Sequence, residues 1–152
     1  MNGVSALILT LNEEINIGAY LDTVSWSYNV AVLDSFISHQ GMAIATAKVA
    51  RVMHRKFDNW PSHQSWSAQN ILSKHPWVLY LDADERCPPE LAQKIQASSS
   101  IESKHAAYRI RRKDFFMGAW LKHAQLYPTW LARLFRPENI SYPRLVNRLP
   151  IY

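Results

Sequence analysis

"VLYLDADERCPPEL", residues 78 to 91, sets an apolar run directly against the carboxylates of Asp82, Asp84 and Glu85. Continuous apolar character of this kind belongs to a central parallel strand buried on both faces. Carboxylates at the mouth of such a strand are costly unless a positive group or a hydrogen-bonding ligand meets them. With a period of two along an extended chain, Asp82 and Asp84 project to one side while the small Ala83 turns away. A cation or a ribose is the partner this arrangement requires. Immediately downstream, Pro88 and Pro89 suit the first turn of a helix that "LAQKIQA" continues, and Glu90 complements the positive end of its dipole.

Outward from this stretch, strand and helix patterns alternate. "VSALILT" (4–10), "NVAVLDS" (29–35) and "ARVMHR" (50–55) read as strands, with "WVLYLD" (77–82) the fourth. Between them lie helix-compatible segments. "EEINIGAYLDTVSW" (13–26) carries Ile15, Ile17, Ala19, Leu21 and Val24, "GMAIATAKVA" (41–50) is a second helix, and "SHQSWSAQNILSKH" (62–75) offers Trp66, Ala68, Ile71 and Leu72 to a sheet. The alternation predicts an α/β domain in which a mostly parallel sheet is flanked by helices through right-handed crossovers. "ASSSIESKH" (97–105) reads as a short polar connection, and "RIRRK" (109–113) alternates like an edge strand with a charged, solvated face.

The chain has 152 residues, 48% hydrophobic and 12% aromatic, enough for one domain with a real core. Its longest apolar runs stop well short of the roughly 20 residues that a bilayer crossing requires, and its amino terminus lacks the basic-then-apolar order of a signal peptide. A cytoplasmic location is expected. The lone cysteine, Cys87, excludes an internal disulfide and reads as a bystander near a loop. None of His39, His54, His63, His75, His105 and His123 has metal-ligand spacing to another, and Trp60, Trp66, Trp77, Trp120 and Trp130 are core by default.

A net charge of +5 permits attraction to nucleotides, nucleic acid or anionic headgroups. Its distribution narrows the choice. Acids gather at Glu13, Glu14, Asp82, Asp84 and Glu85, whereas bases crowd 109–113 and the segment from Arg133 to Arg148. Localised acid facing a basic second half fits a metal-bridged phosphate ligand better than a nucleic-acid-binding surface. The polar groups Thr10 to Glu14, Asp34 to Ser35 and Asp82 to Glu85 all fall at carboxyl ends of expected strands, where ligands of parallel sheets collect. Neither a GxGxxG nor a GxxxxGK[ST] loop is present, so a divalent cation held by carboxylates remains the way to bind a diphosphate.

Taken together, "ALILTLNEE" (6–14), "VLDSF" (32–36) and "WVLYLDADER" (77–86), with "FDNWPSHQSW" (57–66) and "ARLFRPENISY" (132–142), resemble glycosyltransferase family 2. These are inverting nucleotide-sugar transferases of the GT-A fold, and the similarity is nearest to the branch that builds lipopolysaccharide core and related cell-surface glycans. The resemblance implies one domain over 1–152, with a nucleotide-sugar-binding part (1–96) and the start of an acceptor-binding part (105–152), short on the acceptor side. It implies that Thr10, Asn12, Glu13 and Glu14 meet the nucleoside and that Asp34 and Ser35 contact the base. Gln64 stands where a polar residue helps hold the nucleotide. Asp82 is implied nearer the ribose and the first metal shell, and Asp84 as a ligand of Mn²⁺ or Mg²⁺ bridging to the diphosphate. Arg133 and Arg136 are implied for an anionic acceptor or leaving group, with Trp120 as a sugar-stacking platform.

The resemblance further implies a nucleoside-diphosphate sugar, with UDP foremost, as donor and a glycan or glycolipid as acceptor. The basic second half allows peripheral association with the inner face of a membrane. The general base, a carboxylate, is expected at or after "RLVNRLPIY" (144–152), beyond Tyr152. Departures from the family pattern at Ile37, His39, Gln64, Ser65 and Arg148 keep an inactive sugar-nucleotide-binding module as the alternative. A basic nucleic-acid-binding domain rests on charge alone.

Overall fold

The computed structural model describes residues 3–11, 13–35, 39–48, 51–70, 75–99, 103–123 and 127–140. In chain order the elements are β1 (Val4–Thr10), α1 (Glu14–Thr23), β2 (Val30–Asp34), α2 (His39–Ala47), β3 (Arg51–His54), α3 (Trp60–Asn70), β4 (Trp77–Asp82) and α4 (Pro89–Ser99). There follow β5 (Ala107–Arg112), β6 (Phe115–Phe116), β7 (Ala119–Trp120) and β8 (Thr129–Phe135), then a 3₁₀ turn at Pro137–Asn139.

All seven residues of β1 are buried, because neighbours pair with it on both edges and helices cover both faces. The main sheet has six strands in the order β3-β2-β1-β4-β8-β5. β1 runs parallel to β2 and β4, and β2 parallel to β3, as the strand–helix alternation predicts. Beyond β4 the direction changes. β8 lies antiparallel between β4 and β5, so a strand from the far end of the chain separates β5 from the parallel half.

Alternation along β1 divides the core in two. Ala6 and Ile8 face Ile17, Tyr20, Leu21 and Val24 of the α1 region together with Ala92 and Ile95 of α4. Leu7 and Leu9 face the opposite layer with Leu33, Val78, Tyr80 and Phe135, against which Trp66 of α3 packs. Within α1 the inward positions therefore follow the i, i+3, i+4, i+7 pattern through Tyr20, and Ile15 is exposed at 91%.

β6 and β7 form a separate two-stranded hairpin. Its two turn residues, Met117 and Gly118, have φ of 49° and 79°, both in the left-handed region that a type I′ turn demands. Trp77 is core, whereas Trp120 and Trp130 are exposed, against the default reading of these tryptophans. Among the described residues no helix is long and apolar enough to cross a membrane.

Candidate active site at the carboxyl ends of the strands

Strand register brings the expected polar groups level. Thr10 lies opposite Asp34, Asp34 opposite His54, and Asp82 opposite Leu9, so β1, β2, β3 and β4 end at one height. The backbone continues the ladder one step further, with the Ser35 amide donating to the Thr10 carbonyl at 3.0 Å. Thr10 is buried, and its hydroxyl donates to the Leu33 carbonyl at 3.4 Å. Asp34 is buried too, with His54 Nδ1 at 3.0 Å from its Oδ2. That ring is half exposed and sits as a cover over the carboxylate.

Around Asp82 the site is densely paired. Arg133, delivered by β8, donates from Nη2 to Asp82 Oδ2 and to Glu85 Oε1, both at 2.7 Å. The Tyr80 hydroxyl donates to Asp82 Oδ1 at 3.0 Å, and the Arg133 guanidinium lies 5.2 Å from the centre of the Tyr80 ring. Glu85 closes the turn by accepting the Asp82 amide at 2.9 Å. Burial pushes the Glu85 carboxyl above its usual range, with Arg133 and the Asp82 amide pulling the other way. Burial also opposes the charge on Arg133, yet Asp82 and Glu85 outweigh it and hold the guanidinium protonated. The arginine is thus the resident countercharge of the cluster, shared equally between Asp82 and Glu85 by distance.

A second network lies behind Ser35. Arg55 forms a two-pronged pair with Asp58 at 2.9 and 2.8 Å and also approaches His63 Nδ1 at 2.8 Å. A guanidinium only donates, so Nδ1 is the acceptor, Nε2 carries the proton, and Nε2–H donates to Ser35 Oγ at 2.8 Å. Burial first, and Arg55 second, keep the His63 pKa below its ordinary value. A neutral imidazole fixed in one tautomer therefore orients the Ser35 hydroxyl. On the exposed side, Arg86 ties the β4–α4 loop to α1, donating to the Ala83 carbonyl at 2.8 Å and to Asn16 Oδ1 at 3.3 Å.

The expected site residues divide by position. Thr10, Asp34, Ser35, Asp82, Asp84 and Arg133 meet at the carboxyl ends. Glu13 holds the N-cap position of α1 through its carbonyl, which accepts the Ile17 amide at 2.9 Å, while its carboxylate accepts Asn16 Nδ2 at 2.9 Å, and Glu14 opens the helix beside it. Asn12 and the stretch 144–152 lie outside the described residues. Gln64 is buried, and its amide donates to the Tyr80 hydroxyl at 3.2 Å, which places it one layer behind Asp82. The structure does not bring Arg136 to the site. Because β8 is antiparallel to β4, residues after Arg133 move toward the start of β4, and Arg136 stacks 4.6 Å over Trp77 while donating to the Ser103 carbonyl. Trp120 sits on the β6–β7 hairpin, outside the main sheet. Tyr80, Arg55 and His63 are site-forming residues that the sequence did not single out. Tyr80 is recoverable by period, two residues before Asp82 and on the same side of β4, whereas the Arg55–His63 contact joins a strand end to a helix start and leaves no spacing signal.

Among the described residues no three His, Cys, Asp or Glu side chains converge to hold an ion by themselves. Both oxygens of Asp82 are engaged, which leaves Asp84 as the exposed carboxylate with no partner among the described residues. One or two hard carboxylate ligands with phosphates and waters completing the shell is the usual way Mg²⁺ or Mn²⁺ is held, so this donor set fits such an ion. Cys87 lies buried nearby, and burial pushes its thiol up to about 11, which leaves it inert.

Comparison with known proteins accords with this geometry. An uncharacterized glycosyltransferase of Rickettsia typhi is 26% identical over 150 residues, covering 97% of this chain and 51% of the relative. The lipopolysaccharide core biosynthesis glycosyltransferase LpsC of Rhizobium meliloti is 20% identical over 76% of this chain and 44% of its own length. Among solved structures, glucosyl-3-phosphoglycerate synthase of Mycobacterium tuberculosis, in complex with Mn²⁺, UDP and glucosyl-3-phosphoglycerate, superposes with a TM-score of 0.55. That match has 19% identity and covers 70% of this chain and 42% of that one. The chain is a homologue of glycosyltransferases and has the GT-A fold. A mycobacterial protein of the same arrangement matches over 90% of this chain and 54% of its own, with a TM-score of 0.64. No family profile matches the chain. It spans about half the length of these curated relatives or less. In this GT-A fold the parallel half, β1 to β4, supplies the carboxyl-end cluster, and antiparallel β8 adds Arg133 to it.

Proposed function

We propose that the protein is a metal-dependent inverting glycosyltransferase, cytoplasmic, that moves a sugar from a nucleoside-diphosphate sugar, foremost a UDP-sugar, to a glycan or glycolipid acceptor. The observation that carries this reading is the convergence of Asp34, Asp82, Asp84 and Arg133 at one end of a GT-A sheet. The UDP and Mn²⁺ held by glucosyl-3-phosphoglycerate synthase support the donor and metal classes, and the name of LpsC supports a cell-envelope acceptor.

Each residue has a task that follows from its surroundings. Asp34, buried and aligned by β2, accepts hydrogen bonds from the base edge once the half-exposed His54 ring swings off its carboxylate, with the oriented Ser35 hydroxyl beside it. Asp82, held at both oxygens by Tyr80 and Arg133, presents a fixed carboxylate edge to the ribose. Asp84 would hold the cation together with the donor's phosphates, with Asp82 next to it. Such an ion neutralises the charge that develops on a departing diphosphate. Arg133 contributes positive charge to the same region from a second direction. The acceptor hydroxyl must lose its proton to a carboxylate on the opposite face of the sugar, which we place after the described residues.

Calorimetric titration with UDP, in the presence and absence of Mn²⁺, tests the assignment on the wild type and on Asp84→Ala. Expected is Mn²⁺-dependent binding that weakens at least about tenfold in the variant, a loss of roughly 1.4 kcal/mol. Binding indifferent to both Mn²⁺ and Asp84 would remove the metal assignment. Absence of any nucleoside-diphosphate binding would remove the donor site.

A further inference from the structure

The β6–β7 hairpin exposes apolar surface that the site does not use. Phe115, Phe116 and Met117 are 63%, 62% and 91% exposed, and Trp120 is 37% exposed. The type I′ turn at Met117 and Gly118 sets Phe116 and Met117 at the apex of a short ribbon that belongs to no larger sheet, with Phe115 and Trp120 opposite each other one step behind. Ammonium groups border the ribbon. Lys113 Nζ lies 4.7 Å and Lys122 Nζ 5.7 Å from the centre of the Trp120 ring, while Tyr127 meets that ring edge-on at 5.2 Å. The acid in this segment, Asp114, is neutralised by Arg112 at 2.8 Å. Positive charge continues along the exposed positions of the edge strand, where Arg111 lies 5.5 Å over Trp130 and Arg109 occupies the same side.

We propose that this hairpin is a wedge that seats the protein on an anionic bilayer surface. Its Phe116–Met117 apex enters the boundary between headgroups and acyl chains, Phe115 and Trp120, paired across the ribbon one step behind, lie at headgroup level, and Lys113 and Lys122 extend to the lipid phosphates. Large apolar groups at the tip, an amphipathic ring behind them and lysines whose stems lie along apolar surface form the composition that partitions to a membrane interface. Charge selects among occupants. A second copy would oppose one basic face to another, whereas anionic headgroups attract it. Single-stranded nucleic acid needs a shared platform of open rings for stacking, and here the two open rings, Phe115 and Phe116, turn to opposite faces of the ribbon, the Trp120 ring is flanked by two lysines and the apex is a methionine. The inference does not depend on the transferase reading, since it concerns a hairpin outside the carboxyl-end cluster.

Vesicle flotation of the purified protein tests it. Vesicles of phosphatidylcholine alone are compared with vesicles containing equal parts phosphatidylcholine and phosphatidylglycerol. The wild type should float with the anionic vesicles, less so as salt rises, and not with the neutral ones. Phe116→Ser combined with Met117→Asn, an apex that still accepts positive φ, should lower the fraction bound at least tenfold with unchanged circular dichroism. Lys113→Gln and Lys122→Gln should each weaken binding about fivefold. No flotation with anionic vesicles overturns the proposal, as does flotation indifferent to the apex variant, which would reflect net charge alone. A concentration-dependent dimer in gel filtration, or binding of single-stranded RNA, abolished by the apex variant would assign the hairpin to that partner instead and overturn it equally.

Discussion

At the scale of single residues, Arg133 determines the state of the donor site, because one guanidinium group compensates both Asp82 and Glu85. Removing one member of a nearly buried ion cluster leaves the others without countercharge, which typically costs about 3–5 kcal/mol when burial is complete. Asp82 retains some solvent, so Arg133→Met, which keeps most of the packing volume over Tyr80, should cost about 2–3 kcal/mol at neutral pH. The sign of the pH dependence follows from Glu85. Its folded pKa is raised by burial, so its favourable contribution is complete below the ordinary glutamate range and is lost as pH rises through the raised value. Without Arg133 that value rises further, and the variant's deficit should therefore shrink on going from pH 7.5 to pH 5. Urea unfolding at the two pH values measures this. An equal deficit at both would mean that Arg133 acts through its stacking on Tyr80 rather than through charge. The family resemblance carried Arg133 as a contact for an anion, yet its pairing with Asp82 was not legible, since it depends on the register between strands about fifty residues apart.

At the scale of elements, α1 shows how far a hydrophobic pattern can be read. The segment holds apolar residues at Ile15, Ile17, Ala19, Leu21 and Val24, which do not lie on one helical face. The buried stripe instead runs Ile17, Tyr20, Leu21, Val24, completed by a tyrosine whose hydroxyl donates to the Leu7 carbonyl at 3.3 Å and is kept protonated by burial. A polar-tipped aromatic joined the core, and an isoleucine beside the carboxyl ends of the strands stayed in water. The two isoleucines should accordingly differ in effect. Ile17→Ala, at 0% exposure, should cost about 2–4 kcal/mol through lost burial and a residual cavity. Ile15→Lys, at 91% exposure, should change stability by less than about 0.5 kcal/mol. Thermal or urea unfolding of the pair decides it, and comparable losses at both sites would mean that the helix is rotated about its axis relative to the face described.

Across the whole molecule, legibility follows connectivity. β1 to β4 were readable because each buried apolar run is joined to the next through a local helical crossover, and the carboxyl-end cluster followed from those strand ends. β8 was not, because its insertion between β4 and β5 is a distant antiparallel pairing, and its burial rises only over the last three residues, Arg133 to Phe135. The β6–β7 hairpin was missed for the opposite reason, since apolar letters suggest core and these residues face solvent. The same architecture sets a gradient of local stability. β1 and β4 lie inside the sheet between packed layers, the position from which amides are expected to open only with the whole domain. β5 is an edge strand paired on one side to β8, and the hairpin ribbon has two residues per strand and little covering it. Hydrogen exchange should therefore be slowest in β1 and β4, intermediate in β5, and fastest in β6 and β7, with protection differing by on the order of a thousandfold or more between the extremes. Hairpin amides as protected as those of β1 would show the ribbon docked against another surface in solution, and would leave no free wedge for a bilayer. Protection that instead appears in the hairpin only after anionic vesicles are added, with β1 unchanged, would locate the membrane contact at Phe115–Trp120 by a measurement independent of flotation.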